Sequence, residues 1–235
     1  MKLWVKLLKW DTNFFGVKVG KSIIETTLIN NVFCVEDATY ELIVLEQQDD
    51  VDVTVQNYNQ TFKETKLMFS KKITGYFDSL EHIMDSDANS IAKEKLYNLA
   101  LLSGTYSRFL LDKNIGEDNF IAFYKEWVDN SVSKQFADKV FYINEAREVV
   151  GFVTVAINDS NAQVGLIAVS EQCQGKGYGA QLLKKVEHYC AEQNIKELRI
   201  PTQFKNKQAC VFYKKNGYKV CQKKIIKHFW KNDTI

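Results

Sequence analysis

Six residues, Gln174-Gly175-Lys176-Gly177-Tyr178-Gly179, place three glycines between an apolar run, Val164-Gly165-Leu166-Ile167-Ala168-Val169, and a segment with a helical apolar face, 179–193. Glycines at such a junction let successive backbone N–H groups turn toward one point, and a helix N-terminus adds about half a positive charge there. The pattern therefore predicts a strand–loop–helix unit shaped for a pyrophosphate. Spacing separates the cradles of this kind. A P-loop requires Gly five positions before the Gly-Lys pair and Ser or Thr after it. Ser170 and Gly177 stand there, so that reading fails. A dinucleotide fingerprint ends in Gly or Ala, and Ala180 fits only the rarer form. Its acidic ribose partner would be Glu197, poorly placed, and the loop sits late in the chain, so this reading is weakened.

The net charge of +2 conceals an asymmetry. From Glu171 to Ile235 fourteen Lys and Arg face five Asp and Glu, a balance of +9, which leaves −7 in the first 170 residues. A basic quarter of this kind suits a phosphate-bearing cofactor or a nucleic acid. Apolar residues make up 46% of the 235, aromatics 13%, which excludes intrinsic disorder. Charge interrupts the first six residues and no apolar run approaches a bilayer span, so neither a signal peptide nor a membrane segment is expected. Cys34, Cys173, Cys190, Cys210 and Cys221 form no Cys-x-x-Cys and read as reduced thiols of a cytoplasmic protein. His82, His188 and His228 have no ligand spacing, and no metal is expected.

Periodicity divides the chain. The polar stretch from Asp78 to Ser90 is the best boundary, giving a smaller N-terminal unit, 1–88, and a mixed α/β unit, 89–235. The first reads as short strands, among them 41–45 and 57–69. The second reads as helices 91–103 and 117–132, a hairpin of strands 140–144 and 149–157, strand 162–169, the glycine loop, helix 179–193, strand 197–202 and helix 206–215. Two strands, 218–221 and 224–230, close it. Helix 117–132 carries Phe120, Phe123, Tyr124, Trp127 and Val128 on one stripe. Asn206, Ala209, Cys210 and Tyr213 share a helix face on which a small residue leaves room for a thin ligand arm.

The spacing of Gln174, Gly177 and Gly179, with the strand before it and Asn206 and Tyr213 after it, resembles the acetyl-CoA loop of the GNAT superfamily of N-acetyltransferases. The resemblance is strong over the last 75 or so residues and looser from about Ile91. It implies a mixed α/β fold, a central mixed sheet flanked by helices, with acetyl-CoA as cosubstrate. Cofactor contacts would come from Ile167, Ala168 and Val169 at the strand end, the loop Gln174, Gly175, Lys176, Gly177, Tyr178 and Gly179, and Asn206 and Ala209. Tyr213 would be the general acid that protonates the departing thiolate.

The opening Leu8-Lys9-Trp10-Asp11-Thr12-Asn13-Phe14-Phe15-Gly16, the run Ser107-Arg108-Phe109 with its following aromatics, and the ending His228-Phe229-Trp230 are similar to bacterial dTDP-fucosamine N-acetyltransferases. That implies transfer to the 4-amino group of a nucleotide-linked deoxysugar for cell-surface polysaccharide, and a homodimer; the lysines, with no basic run of five or more, argue against a nucleic-acid partner, and no membrane partner is expected. Glu64 would take the amine proton through water. Arg108 can bind the acceptor's phosphates bidentately. Phe15, with Phe14, fits either an inter-domain plug or a thymine-stacking site. Two other readings stay open: acetylation of another amine, such as a protein N-terminus or amino acid, and a non-catalytic acyl-CoA-sensing or nucleic-acid-binding module.

Overall fold

A computed structural model describes residues 1–24, 31–74, 83–86 and 91–232. Among these residues ten strands form one mixed sheet in the order β1-β2-β4-β12-β6-β11-β10-β9-β8-β7. In chain order these are β1 (Lys6–Leu7), β2 (Val19–Ile24), β4 (Leu42–Gln47), β6 (Tyr58–Lys72), β7 (Ile83–Asp85), β8 (Lys139–Glu145), β9 (Glu148–Asn158), β10 (Asn161–Val169), β11 (Glu197–Gln203) and β12 (Lys219–Lys231). β3 (Val32–Phe33) and β5 (Thr54–Val55) form a separate parallel pair. The helices are α1 (Lys9–Phe15), α2 (Glu94–Ser103), α3 (Arg108–Leu111), α4 (Glu117–Val132), α5 (Tyr178–Glu192) and α6 (Lys207–Lys215).

The strand period of two sorts side chains into cores on the two faces. Val153 and Val155 of β9 pack with Leu182, Leu183 and Val186 of α5. Their neighbour Phe152 turns the other way, into a core with α2, α3 and the aromatic stripe of α4. β10 breaks this rule. Ala162 and Val164 face the α5 side, yet Leu166 and Ala168 face α2 and α4. A bulge between Val164 and Ile167 inserts the extra residue that reverses the phase. There the Leu166 N–H bonds Thr154 Oγ1 at 2.9 Å instead of a strand carbonyl.

That bulge opens the sheet. β10 and β11 run parallel and pair only from Asn161 to Gln163, against Glu197 to Arg199. Beyond that they part, leaving the end of β10 and residues 201–203 of β11 as the walls of a cleft. Pro201, which has no N–H to give a ladder, stands where β11 has lost its β10 partner.

Several expectations need revision. The last two strands are one: β12 continues from Lys219 to Lys231, with a bulge between Val220 and Gln222 that interrupts its alternation. α1 was not expected; no side chain caps it, and its sequence signal is Gly16, which ends it at φ 68°. The 88/89 boundary and His82 lie outside the described residues. The sheet itself crosses that divide, because β12 of the second portion lies between β4 and β6 of the first.

Candidate active site

The cleft between β10 and β11 deepens into a cavity of about 850 Å³. One wall is the glycine loop. After β10 a 3-10 turn, Glu171–Cys173, leads to Gly175 (φ 82°) and Gly177 (φ 86°), both left-handed as a side chain would resist. Gly177 is the N-cap of α5 and no side chain caps it, so first-turn N–H groups are left for a ligand. Gln208 of α6 donates to Gln174 Oε1 at 2.9 Å and ties the two elements together across the cleft mouth. Lys176 turns away from the cavity lining to Glu145 of the β8–β9 hairpin, at 2.9 Å.

α6 supplies the opposite wall. Asn206 Oδ1 accepts from the Ala209 N–H at 3.0 Å and caps the helix, which fixes the face shared with Tyr213. Tyr213 is 4% exposed and packs against Phe69, Phe212 and Tyr218, while its ring still borders the cavity. Burial pushes its phenol pKa up, so the hydroxyl stays protonated and able to donate.

β6 contributes Glu64. It is 7% exposed, a buried carboxylate rather than the surface residue its polar neighbours suggest. Its Oε2 has no hydrogen-bond partner among the described residues. Burial raises its pKa above the ordinary 4.5, opposed by Lys66, Arg108 and Lys205. The structure thus brings Glu64, Arg108, Ile167, Ala168, Val169, Gln174, Gly175, Gly177, Tyr178, Gly179, Asn206, Ala209 and Tyr213 to one cavity. Phe15 is not on its lining; it packs edge-on to Phe14 and stacks with Phe109 and Phe123, as a core plug does.

Residues to which the sequence reading gives no site role complete the lining. Lys66, two positions from Glu64 and on the same side of β6, borders the cavity, as do Trp10 and Trp127. His228, which the sequence reading places in the closing aromatic strand without a site role, is 1% exposed and lies between Arg108 and Asp112. The available signal was alternation: Ile226, His228 and Trp230 share a face, with one polar group in an apolar row. Among the described residues no group of three His, Cys, Asp or Glu is placed to hold a metal ion, and no helix is long and apolar enough to cross a membrane.

A splayed parallel strand pair, an uncapped glycine-led helix at its mouth and a buried Tyr beyond it thus border one cleft. Residues 105–218, a little under half of the chain, match the family model described as Acetyltransferase (GNAT) family. The chain is 28% identical over 100 residues to the dTDP-fucosamine acetyltransferase of Escherichia coli, covering 42% of each protein. It is 25% identical over 137 residues to the spore coat polysaccharide biosynthesis protein SpsD of Bacillus subtilis, covering 58% of this chain and 47% of that one. The chain thus spans somewhat under half the length of these curated relatives. A GNAT-family structure from Novosphingobium aromaticivorans shares the fold, with TM-score 0.56 and 13% identity over 81% of this chain and 74% of that one.

Proposed function

We propose that the protein transfers acetyl from acetyl-CoA to the 4-amino group of a dTDP-linked amino-dideoxysugar, in cell-surface polysaccharide synthesis. The observation that carries this reading is Glu64: a buried carboxylate with an unpartnered oxygen, in the cavity that also holds the glycine loop and Tyr213. The α5 N-terminus and the loop N–H groups bind the CoA phosphates. Glu64 accepts the amine proton through water, freeing the nitrogen lone pair. As the C–N bond forms, backbone N–H groups at 167–169 stabilise the oxyanion. The C–S bond then breaks, and Tyr213 gives its proton to the thiolate. No covalent enzyme intermediate is needed. Names of two relatives, a dTDP-fucosamine acetyltransferase and a polysaccharide biosynthesis protein, support the acceptor class. A cytoplasmic homodimer belongs to the same proposal.

Thiol release with acetyl-CoA and dTDP-4-amino-4,6-dideoxygalactose is the direct test, run beside a panel of nucleotide-free amines. Turnover restricted to the nucleotide sugar supports the proposal; turnover only on the panel, or none, removes the acceptor. Tyr213→Phe is expected to lower kcat about tenfold or more with CoA affinity unchanged.

A further inference from the structure

Arg108 is held in place without a carboxylate. Its guanidinium donates to His228 Nε2 at 3.2 Å, and His228 Nδ1 donates to Asp112 Oδ2 at 2.6 Å. Trp230 Nε1 and Thr61 Oγ1 donate to the same oxygen at 2.9 and 3.3 Å, and the Asn114 N–H reaches Oδ1 at 3.3 Å. Burial works against the Asp112 anion, but the bonds from His228 and Trp230 hold its pKa below 3.8. Burial likewise pushes His228 down to about 4, with Arg108 acting in the same sense and Asp112 against it. The ring is therefore neutral, and its bonds assign the tautomer: hydrogen on Nδ1, lone pair on Nε2.

A neutral acceptor orients a guanidinium while leaving its charge in force. A direct Arg–Asp pair would satisfy the same donors and cancel most of the field. Inserting an imidazole between the two preserves a directed cation at the cavity wall.

A second cation stands nearby. Lys66 lines the same cavity, and burial, with Arg108 acting in the same direction, lowers its pKa. Among the described residues neither Lys66 nor Arg108 forms a salt bridge with a carboxylate. Between these two cations and the unpartnered Glu64 Oε2, the wall has unmet demands of both signs. Cations in a desolvated wall repel each other unless an anion joins them. A ligand carrying an amine and an anion meets both needs.

We propose that Arg108 and Lys66 form an anion subsite beside Glu64, for a phosphate or carboxylate carried by the acceptor itself, and that His228 and Asp112 are positioning residues that aim Arg108 into it. This rests on the reading of the cavity as the acyl-transfer site. It selects acceptors that join an amine to an anion and disfavours polyamines, whose further positive charges would meet Lys66 and Arg108.

Calorimetric titration of the full chain, saturated with CoA, uses two probes: dTDP for a phosphate source and glutamate for a carboxylate source. One of them is expected to bind. Lys66→Gln and Arg108→Gln should each weaken that probe about tenfold, the size expected for a charge-assisted contact. His228→Phe should weaken it comparably, whereas His228→Gln, which keeps an acceptor for the guanidinium, should recover most of the loss. With the acceptor identified by turnover, these changes should appear in KM more than in kcat. Wild-type affinity in both Lys66→Gln and Arg108→Gln overturns the subsite, as does failure of both probes to bind. Equal affinities in His228→Phe and wild type overturn the positioning role. CoA affinity, read separately, reports on the cavity reading: its absence in the wild-type protein defeats that reading instead. Should His228→Phe not fold, Lys66→Gln, whose side chain makes no hydrogen bond among the described residues, still decides the subsite.

Discussion

As the proposed proton acceptor, Glu64 joins two demands that oppose each other. A proton acceptor must be ionised to work, yet burial disfavours the ion and raises its pKa above 4.5. The rate should therefore climb with pH through a break above 4.5 and then level. In Glu64→Gln the break should vanish and the plateau fall about a hundredfold; a break that survives in this variant assigns it to another group. The sign for stability is the reverse. A carboxyl whose folded pKa is raised contributes most below its unfolded pKa of 4.5, and that contribution is lost as pH rises through the folded value. Glu64→Gln should thus resist urea better than the wild type at neutral pH, the usual exchange of stability for function.

Among the elements, β10 is the most consequential. Its bulge makes the cleft, and Gly165 sits at the point of reversal. A Cβ there would come within 2.8 Å of Thr154 Oγ1 and 3.4 Å of Trp127 Nε1. Gly165→Val should destabilise the protein by roughly 1–3 kcal/mol, the range for overpacking. Urea denaturation with an unchanged slope and a lower midpoint is the expected result; an unaltered midpoint would show that the wall can yield. The helices and strands after Ile91 were legible because each carries a period and a stop, such as Gly217 at φ 86° after α6. The bulge was not. Residues 162–169 are small and apolar almost throughout, so the sequence contains no contrast to reveal which residues change face. The glycine loop and Tyr213 announce themselves through local spacing. Lys66 could be placed from its alternation with Glu64, two positions earlier, whereas Asp112 and Arg108 meet His228 only across 116 and 120 positions, a pairing that no local pattern records.

At the scale of the whole molecule, composition suggests two units and the sheet joins them. β12 pairs with β4 along Ile225 to Trp230 and with β6 along Lys219 to Lys231. Such pairing couples the first portion to the second more tightly than a linker between domains would. Urea unfolding followed by tryptophan fluorescence and by far-ultraviolet circular dichroism should therefore give one coincident transition. Trp4, Trp10, Trp127 and Trp230 sample both portions. Two resolved transitions would show that the halves fold separately.

The same central strand sets an order in time. β4 and β6 leave the ribosome early, but their common neighbour begins only at Lys219, far beyond Lys72 where β6 ends. At about 5–20 residues per second, translation of that interval lasts roughly 7–30 s. For that period two growing strands offer unsatisfied edges to any other chain nearby. β12 is also the strand that brings His228 to Arg108, so a nascent protein can possess its glycine loop while the proposed acceptor side is still unbuilt.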